Sequence, residues 1–223
     1  MTDQLVPPRA LTPSGIILVD KPAGPTSFAI VAAVRRRTGA RTGHTGTLDP
    51  FATGLLLLLS GASTRLQPQF VGLDKRYETE LDLTFRTSTG DREGEVVEEH
   101  DAPAEADLEA QLDALRGAVD LPIPAASAVK IDGTRAYKLH RQGIVVDMPV
   151  RTMHVRELRL HGYHAGVARL ELHVSSGTYI RAIADALGGH CRSLRRTQIG
   201  PFSLAEADPE LIIPPDDALA RLG

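Results

Sequence analysis

A run of five leucines, Leu55 to Leu59, follows directly on Gly43-His44-Thr45-Gly46-Thr47-Leu48-Asp49-Pro50-Phe51-Ala52-Thr53-Gly54. Such a run is too apolar to leave any face in water, so it has to sit inside a core. The dozen residues before it, with three glycines and three threonines, have instead the composition of a tight polar loop. A polar loop is therefore fastened at one end into buried structure. Asp49 is the single carboxylate of that loop, and Pro50 drives the Asp49 backbone out of the helical region into an extended or turn conformation. Rigid support beneath a fixed carboxylate is what a preorganised chemical group requires. An ordinary Asp-Pro turn above a core strand has the same local pattern, and the stretch on its own leaves both readings open.

The rest of the chain bounds the choice. With 223 residues, 42% of them hydrophobic, the chain can bury roughly 70% of its unfolded surface and suits one large domain. Residues 15–223 are read as that domain, and residues 1–14, aperiodic and carrying Pro7, Pro8 and Pro13, as a mobile arm. The N-terminus lacks the basic, apolar, small-residue order of an export signal, and five leucines fall far short of the roughly 18 apolar residues of a membrane span. A cytoplasmic protein without membrane attachment is expected. Cys191 stands alone, which excludes an internal disulfide, and it reads as a small buried side chain. His154, His161, His164 and His173 share no ligand spacing, so no metal site is expected.

Net charge at first points away from nucleic acid, since 25 basic against 28 acidic residues give −3. The distribution reverses that. Ten acids lie between Asp91 and Asp113 with one base, Arg92, and removing the segment leaves 24 basic against 18 acidic residues, or +6. The acids are read as a solvated outer element and the remaining surface as positive enough to hold phosphates. The bases expected to do so are Arg35, Arg36, Arg37, Arg41, Lys75, Arg76 and those from Arg192 to Arg196.

In chain order, Gly15 to Asp20 reads as a buried strand, and Thr26 or Ser27 as the cap of a helix from Phe28 to Thr38 closed by Gly39. A short helix over Ala62 to Phe70, a long alternating strand over Lys75 to Thr87, a strand at Glu95 to Glu99 and an amphipathic helix over Asp107 to Leu115 follow. Leu121-Pro122-Ile123-Pro124 reads as a link, and Ser127 to Lys138 as a strand, an Asp132-Gly133 turn and a helix from near Thr134. Thr152 to Tyr163 and Val167 to Ser175 form a hairpin that runs into a helix ending at Leu187. Strands joined by hairpins or short helices make an α+β fold with a mixed or largely antiparallel sheet. Lys130 and Tyr137 serve either an RNA or the core. Arg181, in a helix's first turn, is poorly placed against the dipole unless an anion is near.

Gly43 to Gly54 resembles, nearly letter for letter, the catalytic motif of the TruB-type pseudouridine synthases. Lys21 to Ser27, Lys75-Arg76-Tyr77-Glu78, Thr87 to Gly94, Ser127 to Lys138, Ser176-Gly177-Thr178-Tyr179-Ile180-Arg181 and Leu194 to Phe202 are similar to further stretches of that family, so the likeness spans Gly15 to Phe202. It implies the pseudouridine synthase fold, a central sheet with flanking helices and a cleft across it. The implied activity is isomerisation of a uridine in the T arm of tRNA to pseudouridine, by base flipping and without cofactor or metal; a monomer is expected. Asp49 is then the nucleophile, Tyr77 the ring that stacks on the flipped uracil and the nearest hydroxyl able to move a proton, and Arg181 the partner that keeps Asp49 charged. Lys21, His44, Tyr179, Lys130 and Arg196 form the substrate-binding and supporting set. Thr84 stands where the family pattern has glycine and Ala126 where it has an aromatic residue, and a catalytic domain without a C-terminal RNA-binding domain of the PUA type is expected. A tRNA-binding or RNA-folding module without catalysis is the alternative.

Overall fold

The computed structural model describes residues 14–223, so the expected arm over residues 1–14 lies, apart from Ser14, outside the described residues. The chain runs through β1 (Gly15–Lys21), α1 (Ser27–Thr38), β2 (Thr42–His44) and β3 (Thr53–Ser60). A 3-10 turn at Gly61–Leu66 and α2 (Gln67–Val71) lead to β4 (Lys75–Asp82), β5 (Phe85–Thr87), β6 (Val96–Glu99) and α3 (Glu105–Ala114). Next come β7 (Gly117–Pro122), β8 (Lys130–Ile131), β9 (Thr134–Arg135) and α4 (Ala136–Arg141). The hairpin β10 (Val150–His164) and β11 (Val167–Val174) is followed by α5 (Ile180–Ala186), β12 (His190–Ile199), β13 (Phe202–Ser203), β14 (Asp208–Ile213) and α6 (Pro215–Ala220).

Ten of these strands form one sheet in the order β14-β1-β3-β12-β4-β11-β10-β7, with β2 pairing against β3 and β13 against β12 off this path. Every pairing in it is antiparallel except that of β3 with β12, which makes the α+β sheet mixed. The five leucines explain themselves on β3. Side chains alternate across a strand, so Leu55, Leu57 and Leu59 pack with Ile16, Leu18, Phe70 and Phe202 on one face, while Leu56 and Leu58 pack with Ile17, Val19, Val31 and Val34 on the other. With both faces covered, a continuous apolar run replaces the usual alternation. Each fully buried leucine contributes about 1.5–3 kcal/mol. Gly54, at the start of β3, has φ +103°, and a Cβ there would lie 2.3 Å from the Arg196 carbonyl oxygen. Only glycine lets β3 come this close to β12.

Several boundaries differ from the sequence reading for local reasons. The long strand expected over Lys75 to Thr87 breaks after Asp82, whose Oδ1 accepts from Thr84 N (3.1 Å) and Thr84 Oγ1 (2.6 Å), so Thr84 closes a turn that sends β5 out of the main sheet to pair with β6. The helix α1 begins one residue early, at Ser27, because Thr26 Oγ1 accepts from Ala29 N at 3.1 Å and takes the cap. The link at Leu121 to Pro124 is in part β7, an edge strand that ends on Pro122, where a missing N–H is tolerated. The strand expected from Ser127 is reduced to β8, which pairs with β9 around the positive-φ turn Asp132-Gly133, so α4 starts at Ala136.

Candidate active site

The loop that carries Asp49 runs between β2 and β3 and is held from four directions. Arg196, on β12, donates from Nε to Leu55 O (2.7 Å), from Nη1 to Thr47 O (3.4 Å) and from Nη2 to Gly46 O (3.1 Å). Ser27, in the first turn of α1, donates to Leu48 O and accepts from Leu48 N, both at 2.8 Å. Lys21, at the end of β1, donates to Pro22 O, Pro25 O and Pro50 O at 2.9, 2.9 and 3.2 Å, and Gly24 N reaches Pro50 O at 2.8 Å. Arg181 on α5 supplies the fourth hold, on the Asp49 side chain itself. The backbone polar groups of this irregular segment are thus paired with side chains where no ladder is available.

Arg181 Nε donates to Asp49 Oδ2 at 2.9 Å, Nη1 to Thr89 O at 2.7 Å and Nη2 to Ala126 O at 2.9 Å. Its side chain is 3% exposed while that of Asp49 is 32% exposed, so the cation is buried behind a carboxylate that opens toward solvent. All three guanidinium nitrogens are engaged in a fixed plane, which orients the carboxylate as well as balancing its charge. The third acceptor is a main-chain carbonyl, so the aromatic side chain expected in place of Ala126 is not needed for this contact. A second carboxylate, Asp91, comes within 3.8 Å of Arg181 Nε. Asp91 is buried and its Oδ1 accepts from Thr89 Oγ1 (2.7 Å) and Glu93 N (3.0 Å). Within the acidic segment it is the exception, because the nine other acids are exposed as expected.

Asp49, Arg181, Tyr77, Tyr179, His44, Lys75, Tyr137 and Arg196 all border one cleft of about 1340 Å³. That volume exceeds a typical small-molecule pocket, which suits a macromolecular substrate presenting one inserted group. Residues 35–180 match the model of the TruB family pseudouridylate synthases (N-terminal domain). The chain belongs to the TruB family. The tRNA pseudouridine synthase B of Corynebacterium jeikeium is 40% identical over 95% of this chain and 77% of its own length, and that of a Synechococcus strain is 41% identical over 94% and 79%. Among solved structures, a Cbf5–Nop10–Gar1 complex aligns with TM-score 0.65 and 26% identity over 85% of this chain and 50% of the solved one. As a pseudouridylate synthase of the TruB family, the chain is an isomerase.

Electrostatics within this TruB-family cleft follow burial. Desolvation lowers the pKa of Lys21, with Asp49 opposing the shift, and lowers that of His44, with Arg196 adding to it, so the His44 imidazole is neutral at pH 7. The Lys75 amine, enclosed by Val71 O, Leu73 O and Ser176 Oγ, is pushed down to about 8 by burial and by Arg196, against Asp74. Burial pushes the Cys191 thiol up to about 12, which keeps it protonated and unreactive.

One member of the expected substrate set lies outside the cleft. Lys130 is exposed on β8 and does not line the cleft. Arg196 borders the cleft but is 1% exposed, and its guanidinium donates to the Gly46, Thr47 and Leu55 carbonyls, so it braces the Asp49 loop from beneath. Several expected phosphate-holding bases are paired with acids: Arg37 with Glu210, Arg76 with Glu157 and Glu171, and Arg195 with Asp20. Arg35, Arg36 and Arg41 remain exposed. Ser27 is expected from the sequence only as a candidate helix cap, and Asp91 only as one of the solvated acids. A signal for Ser27 exists, since Thr-Ser before a helix offers two hydroxyls for one cap and leaves the second for another task.

Proposed function

We propose that this chain isomerises a uridine in the T arm of tRNA to pseudouridine, with Asp49 as the nucleophile. The reaction breaks the bond from uracil N1 to the ribose anomeric carbon, turns the base, and joins carbon 5 to the same ribose carbon. The carbon 5 proton leaves and N1 gains one, so atoms and electrons balance with no external donor. Attack at the anomeric carbon or at carbon 6 of the base makes the same demand, an ionised carboxylate facing a base that has left its stack. Arg181 pairs with Asp49 and aims it, Tyr77 offers a face to the extruded uracil, and its hydroxyl is the proton carrier within the cleft. Lys21, Ser27 and Arg196 keep the Asp49 loop at its position, and His44 and Tyr179 meet the RNA around the reacting base. Residues 15–223 act as one catalytic unit and work as a monomer.

The observation that carries this reading is the 2.9 Å pair of Asp49 with Arg181 on a loop clamped at four backbone carbonyls, at the wall of a cleft open to solvent. The names of the relatives, each a tRNA pseudouridine synthase B, support tRNA as the substrate. No helix among the described residues is long and apolar enough to cross a membrane. The test uses a tRNA transcript tritiated at carbon 5 of uridine. Release of tritium to water should accompany one new pseudouridine, mapped to the T arm. Absence of release, or pseudouridine formed only outside that arm, overturns the proposal.

A further inference from the structure

Phe28 is 74% exposed and is the one exposed aromatic side chain among the described residues. Phe51, Phe70 and Phe202 are buried, as a phenylalanine ordinarily is. The ring of Phe28 borders the same cleft as Asp49. Its backbone is fixed there, two residues after the Thr26 cap and next to Ser27, whose hydroxyl exchanges two 2.8 Å hydrogen bonds with the residue preceding Asp49. Apolar surface is gathered at this cleft, since of the eight exposed large hydrophobic residues among the described ones four, Phe28, Val71, Ile144 and Val145, line it. Of these only Phe28 has a π face.

We infer that Phe28 is a stacking site for an unpaired base of the substrate RNA, next along the strand to the base that enters the cleft; the inference rests on the RNA-modifying reading above. Depth separates the two rings. Tyr77, 7% exposed, can meet only a base that has come inside, whereas Phe28 stands at the mouth where the adjoining nucleotide must pass. Extruding one base leaves its neighbour without a stacking partner on that side, and any base can use an aromatic face. Charge agrees, because α1 carries no acid and presents Arg35 and Arg36 to solvent.

Binding of a T-arm stem-loop and its conversion, compared for the parent, Phe28→Ala, Phe28→Leu and Phe28→Trp, tests this. Alanine should weaken binding roughly 5- to 100-fold, with kcat falling less than Kd rises, and tryptophan should restore affinity while leucine restores little. A 2-aminopurine beside the reacting uridine should be quenched on binding by the parent and not by Phe28→Ala. Equal affinity of the parent and Phe28→Ala, or rescue by leucine as complete as by tryptophan, overturns the stacking site. Failure of the parent itself to bind or convert RNA would instead strike the functional reading on which it rests, so the two failures are distinguishable.

Discussion

On one side of the cleft, Leu48, Phe51, Ala52 and Leu55 to Leu59 are buried, and the loop they carry is held by side chains from β1, α1, α5 and β12. On the other side, residues 123–146 bury only Ile123, Ser127 and Ala136, and Ile144 and Val145 face solvent. The first wall carries the proposed chemistry and the second offers surface. A reacting group displaced by about 1 Å can lose about 100-fold in rate, so the nucleophile needs a clamped backbone. Covering an RNA needs area and polar groups, and it tolerates adjustment on binding.

The clamped wall is most sensitive at Arg196. Arg196→Met leaves the Gly46, Thr47 and Leu55 carbonyls without their donor and frees the loop, so turnover should fall about 100-fold with RNA affinity little changed. Single-turnover rates and equilibrium binding check this, and an unaltered rate would mean the loop is rigid without its brace. Arg181→Lys keeps a charge but cannot serve Asp49, Thr89 and Ala126 at once; losing one charge-assisted bond corresponds to about a tenfold or greater drop in turnover. If lysine and methionine at this position both matched the parent, the ion pair would have no catalytic part.

Lys75 sharpens the same contrast through pH. Its amine ties the end of α2 to Ser176, on the stretch that leads to Arg181, and titrates near 8 in the folded protein against 10.5 in the unfolded one. Between those values the unfolded state binds more protons, so stability rises with pH through that window. Relative to Lys75→Met, the parent's denaturant midpoint should therefore increase from pH 8 to pH 10. Parallel midpoints would show that Lys75 keeps an ordinary pKa. The smallest effect belongs to the second wall, where Ile144→Ser combined with Val145→Ser should change stability by no more than about 0.5 kcal/mol and weaken RNA binding only a few-fold. A large loss of melting temperature would mean that this wall is packed as firmly as the first.

The first wall was legible in the sequence because its constraints are local: a proline fixes Asp49, and five leucines admit only burial on both faces. The fold class followed from the same kind of signal. Pairings across long stretches of chain left no such mark. Arg195 and Arg196 are neighbours on a strand and so point to opposite faces, one to Asp20 at the surface and one under the loop, yet nothing in their sequence says which is which. Asp91 was hidden by company, since a carboxylate among nine exposed acids looks solvated until α5 is seen to bring Arg181 to it. The break after Asp82 turned on one side chain bonding to its own backbone two residues on, an interaction that competes with an alternating pattern without altering it.

Asp49→Asn isolates the part the carboxylate plays in the reaction. The amide has nearly the same shape and can still lie beside Arg181, but it is not a nucleophile, so only the chemical step is removed. With purified protein and saturating tRNA, pseudouridine formation in a single turnover should vanish while the dissociation constant stays within a few-fold of the parent's. Formation at the parent's rate would remove Asp49 from the reaction and contradict the account.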